Sequence, residues 1–461
     1  QKNCPVLFIV HGNHDYTVDS YLGYDYLGEY LSSYGYVVIS VNENSCNDLS
    51  DENDGRAVLL LENMKYILEL NKDETSEWYQ KINEDKIAIA GHSRGGETVS
   101  TAYLFNDYDC YPENGNVKFD YHFDIKSLIA IAPTVDQYQP AEHEVSIQDV
   151  NYLVLQGAND HDVSIAMGQK QYDNVTFTQD GNYLKSLVYI ANANHGQFNT
   201  EWGRYDYGYP INDFLNVANL MEESAQQEIL KTFLKTFLDV TLKGDKTDEG
   251  LLKDCHMYAD SLPKTVYQQI YQTSNFQCIS NFDEDSNLNT ATMDQARIET
   301  SNLDLWKEER TSFGSGNTKQ NYVLVASWKD TKEAAIRFQL PEVNFAGRSV
   351  VFDVADMSEG DFDRTRLLDG EVILTDAAGN AARAKISDHA IVYPTLPVQL
   401  RKLDYVFGDY EFKHQFQTVT IPESTFTTEG TNLDMSCIVE LTIALNTKEN
   451  GKIRMDNVGF N

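Results

Sequence analysis

Five apolar residues in a row, Val6-Leu7-Phe8-Ile9-Val10, constrain this chain more than any other feature in it. A strand with one wet face alternates apolar and polar residues. An unbroken apolar run is a strand buried on both faces, the habit of a parallel sheet covered by helices on either side. The run recurs with small variations at Val37–Val41, Lys86–Ala90, Leu128–Ala132, Tyr152–Gln156 and Leu187–Ala191. Helical patterns lie between. Residues 20–34 read as one, and Ala57 to Leu70 as another, with Ala57, Leu60, Leu61, Met64, Ile67 and Leu68 on one stripe. A third starts at Gly95. A last one runs from Met221 to Leu242 and carries Ile229, Leu230, Phe233, Phe237 and Leu238. This alternation predicts an α/β fold with a mostly parallel sheet flanked by helices.

Lys243–Gly250 is a polar break, and after Pro263 the texture changes. Short β-rich runs, Tyr322–Ala326, Ala335–Leu340, Ser349–Val354 and Glu371–Thr375, are divided by Gly, Asp and Asn turns. They predict an all-β sandwich. The 461 residues therefore divide into an α/β unit at 1–262 and a β unit at 263–461.

The charge excludes partners. Lys and Arg number 36 against 71 Asp and Glu, a net of −35, which repels phosphate backbones and anionic headgroups. Nucleic acid and acidic membranes are not expected partners, and no apolar run reaches the ~20 residues that span a bilayer. No signal peptide is visible at Gln1-Lys2-Asn3-Cys4, so an exported chain with its leader removed, or a trimmed chain, is expected. Six cysteines without a CxxC pair make neither a disulfide scaffold nor a zinc ribbon. Cys4 and Cys46 would lie roughly 16 Å apart at opposite ends of neighbouring parallel strands, beyond the ~7 Å reach of a disulfide. Cys278 and Cys437, near the two ends of the β unit, are candidates for a bridge and otherwise buried thiols.

The sharpest chemical signal is Gly91-His92-Ser93-Arg94-Gly95, followed by Gly96. It directly follows a strand and directly precedes a helix, the context of a nucleophile elbow. The tight turn strains Ser93, and its neighbours two residues away must lack side chains; Gly91 and Gly95 meet that need. The alternative is a glycine-rich turn with a capping Ser. A Ser nucleophile needs a His base and an orienting carboxylate, which in this architecture follow in the order acid, then His. The run Tyr152–Gln156 ends in Gly157-Ala158-Asn159-Asp160-His161-Asp162, and Leu187–Ala191 ends in Asn192-Ala193-Asn194-His195-Gly196. His195 is the candidate base. Asp160 is the candidate acid, with Asp162 as its rival. After the first run, His11-Gly12-Asn13 can offer the Asn13 N–H, paired with that of Arg94, as an oxyanion hole. The aromatic stretch Phe198–Tyr209 leaves the same face, so Trp202 and Tyr205, with His14, are candidate walls of a substrate pocket. They could equally pack the loop onto the body.

Gly12-Asn13-His14-Asp15 also reads as a metallophosphoesterase box. The eleven residues before it supply no further ligand, and no downstream GHxH completes it, so no metal site is expected.

Taken together, Val6–Gly12, Gly91–Gly96, Gly157–Asp160 and Asn194–Gly196 resemble the α/β-hydrolase superfamily, in particular its dienelactone-hydrolase, chlorophyllase and cutinase-like polyester-hydrolase branch. The resemblance covers roughly residues 5–245. It implies a serine hydrolase that uses no cofactor and acts on carboxylic esters, small or polymeric. Plant-wall esters, lipid esters and polyesters all fit. Such folds carry one or two strands ahead of the one ending in HG; here five residues precede Val6, so that edge is expected to be absent, shortened or supplied from outside. A peptidase of the prolyl-oligopeptidase kind would need a propeller-sized domain. A binding protein with a degenerate hydrolase body is the rival from another class. The β unit, from Ile279–Asp285 to Ile453–Phe460, resembles a galactose-binding-like jelly roll. That implies glycan binding through Trp306 or Trp328, against a stabilising appendage with buried tryptophans. Asp353, Asp356, Glu359, Asp361 and Asp363 are read as solvated acids rather than a Ca²⁺ site.

Overall fold

A computed structural model describes residues 2–50, 52–178, 181–311, 321–329, 334–358, 367–428, 431–445 and 450–461. The chain divides into two compact units. One holds residues 1–267 and 399–410, the other 268–398 and 411–461. Segment 399–410, in sequence part of the β half, thus belongs to the first unit.

In the first unit the apolar runs are strands: β1 Cys4–Val10, β2 Val37–Val41, β3 Ile82–His92, β4 Ile125–Ile131, β5 Asn151–Gly157 and β6 Leu184–Ile190. They lie in the order β2-β1-β3-β4-β5-β6, every adjacent pair parallel. Val6 to Val10, Ile87 to Ala90 and Leu128 to Ile131 are almost wholly out of water, as continuous apolar runs demand. Helices α1 Asp25–Ser33, α2 Asn53–Lys72, α3 Arg94–Asp107, α4 Met167–Asp173 and α5 Glu223–Leu238 flank them. Helix α2 buries Ala57, Leu60, Leu61, Met64 and Leu68, and α5 buries Ile229, Leu230, Phe233, Phe237 and Leu238. Strand β2 is the outer edge and β1 is interior. No helix among the described residues is long and apolar enough to cross a membrane.

Because the strands are parallel, the loops after β1, β3, β5 and β6 all leave the same edge of the sheet. This is the edge where open α/β sheets gather their ligands.

The second unit is a β sandwich. One sheet orders Leu305–Arg310, Tyr322–Trp328, Gly451–Phe460, Val350–Asp356 and Gln417–Ile421; the other orders Arg297–Ser301, Ala335–Val343, Ile438–Ala444, Glu371–Asp376 and Ala381–Lys385. Ile279, Phe338, Phe352, Leu441 and Met455 from the two sheets share its core. Trp328 is buried within that core and Trp306 is packed against it.

One alternative for this unit is decided and one expectation is corrected. Cys278 and Cys437 form no disulfide and are part-buried thiols. Cys278 pairs with the Gly451–Phe460 strand of one sheet, while Cys437 precedes Ile438–Ala444 of the other, so no bridge forms. Asp353 and Asp356 are buried, not solvated. Asp353 accepts from Asn457 Nδ2 at 2.9 Å and Asp356 from the Ser358 N–H at 2.9 Å. Glu359, Asp361 and Asp363 lie outside the described residues.

Candidate active site

Ser93 joins the end of β3 to the start of α3 with φ 60° and ψ −124°. A non-glycine residue held there costs on the order of 1–3 kcal/mol and persists only where its surroundings over-determine it. They do. A Cβ on Gly91 would stand 1.9 Å from the Gly95 carbonyl oxygen, and one on Gly95 would stand 2.8 Å from the carbonyl oxygens of Val10 and His11. Gly12 is equally confined: its Cβ would meet the Ser93 Cβ at 2.5 Å and the Arg94 nitrogen at 3.0 Å. The turn after β1, which carries Asn13, therefore sits directly against the Ser93–Arg94 turn. The Asn13 side chain is engaged elsewhere, its Oδ1 accepting the Asp48 N–H at 2.9 Å.

Asp160, after β5, and His195, after β6, meet across the same edge. Asp160 Oδ2 lies 2.8 Å from His195 Nδ1. Its Oδ1 accepts the N–H groups of Asp162 at 2.9 Å and Val163 at 2.6 Å, so the carboxylate is folded over its own turn. Asp162 stands on the other side of the ring, with Oδ2 3.6 Å from His195 Nε2. Ser93, Asp160 and His195 are all buried. Nε2 of His195 has no hydrogen-bond partner among the described residues. Burial works against a charged imidazole here, but the Asp160 carboxylate outweighs it, helped by Asp162 and Asp206, and holds His195 above its ordinary range.

Aromatic rings enclose the pair. Trp202 stacks on His195 at 5.9 Å and 6° and on His14 at 5.3 Å and 11°, and its Nε1 donates to Ser20 Oγ at 2.9 Å. Tyr205 is exposed and lies farther out on the same loop. Trp202 is therefore beside His195 and His14 beside Trp202, and Trp202 is also pinned to the body.

Three further groups escape sequence reading. His92, beside Ser93, bonds the Tyr24 hydroxyl through Nδ1 at 3.0 Å and the His195 carbonyl through Nε2 at 3.1 Å. Burial, and the neighbouring His195, keep it well below the usual imidazole range, so a neutral ring accepts from Tyr24 and donates to the loop that carries His195. Asp206 receives five hydrogen bonds: from the His161 N–H and Nδ1, the His195 N–H, the Gly196 N–H and Asn194 Nδ2, at 2.7–3.2 Å. Burial opposes its charge, yet the His161 bond and the charge of His195 hold it below the ordinary carboxylate range. The third group is an ion cluster under the β1 turn. Arg56, fully buried, reaches Glu43 at 3.2 Å, Glu52 at 2.9 Å and the His11 carbonyl at 3.3 Å. Glu52 in turn holds Arg94 at 2.8 Å. The only signal for these groups in the sequence is polar residues set among apolar ones.

Among the described residues no group of three or more His, Cys, Asp or Glu is placed to hold a metal ion. The search of curated proteins finds no match for this chain. Residues 9–106, the stretch from β1 through Ser93 to α3, match the family model described as PETase, PET hydrolase-like, a family of the polyester-hydrolase branch of the α/β-hydrolases, and the parallel sheet with its flanking helices is consistent with that fold.

Proposed function

We propose that the first unit hydrolyses carboxylic esters through an acyl-enzyme on Ser93. The observation that carries this reading is the pairing of a strained Ser93 on the β3–α3 turn with an Asp160–His195 couple, 2.8 Å apart, on the same sheet edge. His195 Nε2 takes the Ser93 Oγ proton as the oxygen attacks the ester carbonyl. The N–H groups of Asn13 and Arg94 receive the oxyanion. His195 then returns the proton to the departing alkoxide, and Asp160 stabilises the imidazolium through Nδ1. A water that gives its proton to His195 releases the acid. Neither metal nor cofactor is required by these steps.

The Trp202 and His14 rings beside the base support an apolar acyl group, and the match over residues 9–106 supports a polyester among the substrates. The net charge of −35 suits an exported enzyme. In the second unit, Trp306 and Trp328 pack with their own core, which supports a stabilising role there rather than glycan capture.

Ser93→Ala should lower turnover of a p-nitrophenyl ester by a factor on the order of 10⁵ or more with an unchanged circular dichroism spectrum, and should block labelling by a fluorophosphonate. Retained turnover in this variant, or a wild-type protein that takes no label at Ser93, would overturn the assignment; the latter would favour a binding protein with a degenerate body.

A further inference from the structure

Nineteen large hydrophobic side chains are exposed among the described residues, and ten of them lie on two short segments, 205–214 and 403–410. Exposed apolar residues scattered singly are ordinary; gathered in one place they mark a surface meant to be covered. Both segments belong to the first unit and are stitched together. Leu215 and Arg401 form an antiparallel bridge. The Asn216 N–H donates to the Leu400 carbonyl at 2.9 Å, Asn216 Nδ2 to the Gln399 carbonyl at 3.0 Å, and Lys402 Nζ to the Asp213 carbonyl at 2.7 Å. On this base stands the helix Lys402–Phe407, none of whose residues is buried. Six residues are too few for a helix to be stable on its own, and this one has no apolar face turned inward to hold it. Tyr209, Ile211, Phe214, Tyr405, Val406 and Phe407 each keep more than half of their surface in water.

The inner end of the first segment is continuous with the candidate active site. Asp206 holds the His195 backbone at 3.2 Å, and burial, together with the Asp162 carboxylate beside it, pushes the Tyr207 phenol up to about 12. What covers this surface must tolerate the charge of the molecule. A second copy would bring another −35, and anionic headgroups would be repelled in the same way. Segment 399–410 is itself balanced, with Arg401 and Lys402 against Asp404 and Asp409. A neutral, apolar and extended ligand fits. Resting on the ester-hydrolase reading above, we infer that these two segments form a platform that docks the enzyme on the surface of a neutral ester polymer and presents its chains to Ser93.

The test separates adsorption from chemistry. In a Ser93→Ala background, binding to aliphatic polyester nanoparticles is read by co-sedimentation with and without Tyr209→Ser, Phe214→Ser, Val406→Ser and Phe407→Ser, all at exposed positions. The fourfold variant should bind at least about tenfold more weakly, since each serine removes a large apolar contact. With Ser93 intact, it should hydrolyse p-nitrophenyl acetate within twofold of the parent while losing polymer turnover. Unchanged adsorption would overturn the platform and leave the hydrolase standing. So would a wild-type dimer, seen by sedimentation velocity, that the fourfold variant abolishes, or capture by phosphatidylcholine vesicles in preference to polymer. Weakened adsorption in a protein inactive on every ester would support the platform and refute the hydrolase.

Discussion

Two carboxylates two residues apart face opposite nitrogens of one imidazole. Sequence spacing favours Asp160 but keeps Asp162 as a rival, because both lie in a loop after the same strand. The turn itself separates them: Asp160 is tied down by the N–H groups of Asp162 and Val163 and reaches Nδ1, while the partly exposed Asp162 faces Nε2. Their replacements should therefore differ in kind. Asp160→Asn removes the charge that stabilises the imidazolium and the acceptor that fixes the tautomer, so kcat should fall by a factor on the order of 10⁴. Asp162→Asn removes only one of the charges that raise His195. The base works as neutral imidazole, so a raised pKa delays activity to higher pH, and removing a negative neighbour must move the acid limb of the kcat/KM profile to lower pH. The pH–rate profile of a soluble ester reads both. An unmoved limb in Asp162→Asn, or a kcat loss as large as that of Asp160→Asn, would assign the roles the other way. Ser93 and His195 were legible as candidates because the motifs that carry them stand at strand ends, which the fold brings to one sheet edge. Asp206 was not, since much of its work is done through backbone N–H groups, which any residue supplies and no motif records.

At the scale of elements, the sheet was legible and the start of α2 was not. Apolar periodicity places the start of α2 at Ala57, whereas the helix begins at Asn53. The missing turn is buried but polar: Asn53 and Arg56 are inside, and a hydrophobic pattern cannot show residues that are buried as polar or charged groups. That turn joins the two halves of the proposed oxyanion hole, since Arg56 bonds the His11 carbonyl and shares Glu52 with Arg94. Arg56→Ala would leave Glu43 buried without its guanidinium, a loss of about 3–5 kcal/mol where the stranded carboxyl is ionised. The loss should depend on pH. Burial already pushes Glu43 up to about 8, against the pull of Arg56, and without Arg56 it must rise further. A carboxyl whose folded pKa exceeds its unfolded one contributes its full stability below the unfolded value and loses it as pH climbs through the folded one. Urea unfolding should therefore show a smaller deficit for Arg56→Ala near pH 5 than near pH 8. A deficit that is constant or shrinks with rising pH would show that Glu43 is not the group left unpaired.

At the scale of the whole chain, local patterns reveal an α/β body and a β sandwich, but not that residues 399–410 belong with the former. That membership rests on contacts such as the Leu215–Arg401 bridge, and pairing between residues so distant in sequence leaves no periodicity behind. The charge is a property of the whole as well. With 71 acidic and 36 basic residues, pairing every base with an acid would still leave 35 acids unmatched. Exposed pairs such as Lys65–Asp120 at 2.8 Å are weak and are screened by salt, as is the repulsion among the unmatched acids. Which effect dominates fixes the sign of the salt response. Repulsion acts over long range and opposes the compact state, and the Debye length shortens from about 30 Å at 0.01 M to about 8 Å at 0.15 M. The unmatched acids should win, so raising NaCl from 0.01 to 0.15 M at neutral pH should raise the unfolding temperature. Relief of about 1 kcal/mol corresponds to a rise of roughly 2–4 °C for units of 150–250 residues. Scanning calorimetry would follow the transition of each unit. A fall in either would mean that ion pairs stabilise that unit more than its surplus of acids destabilises it.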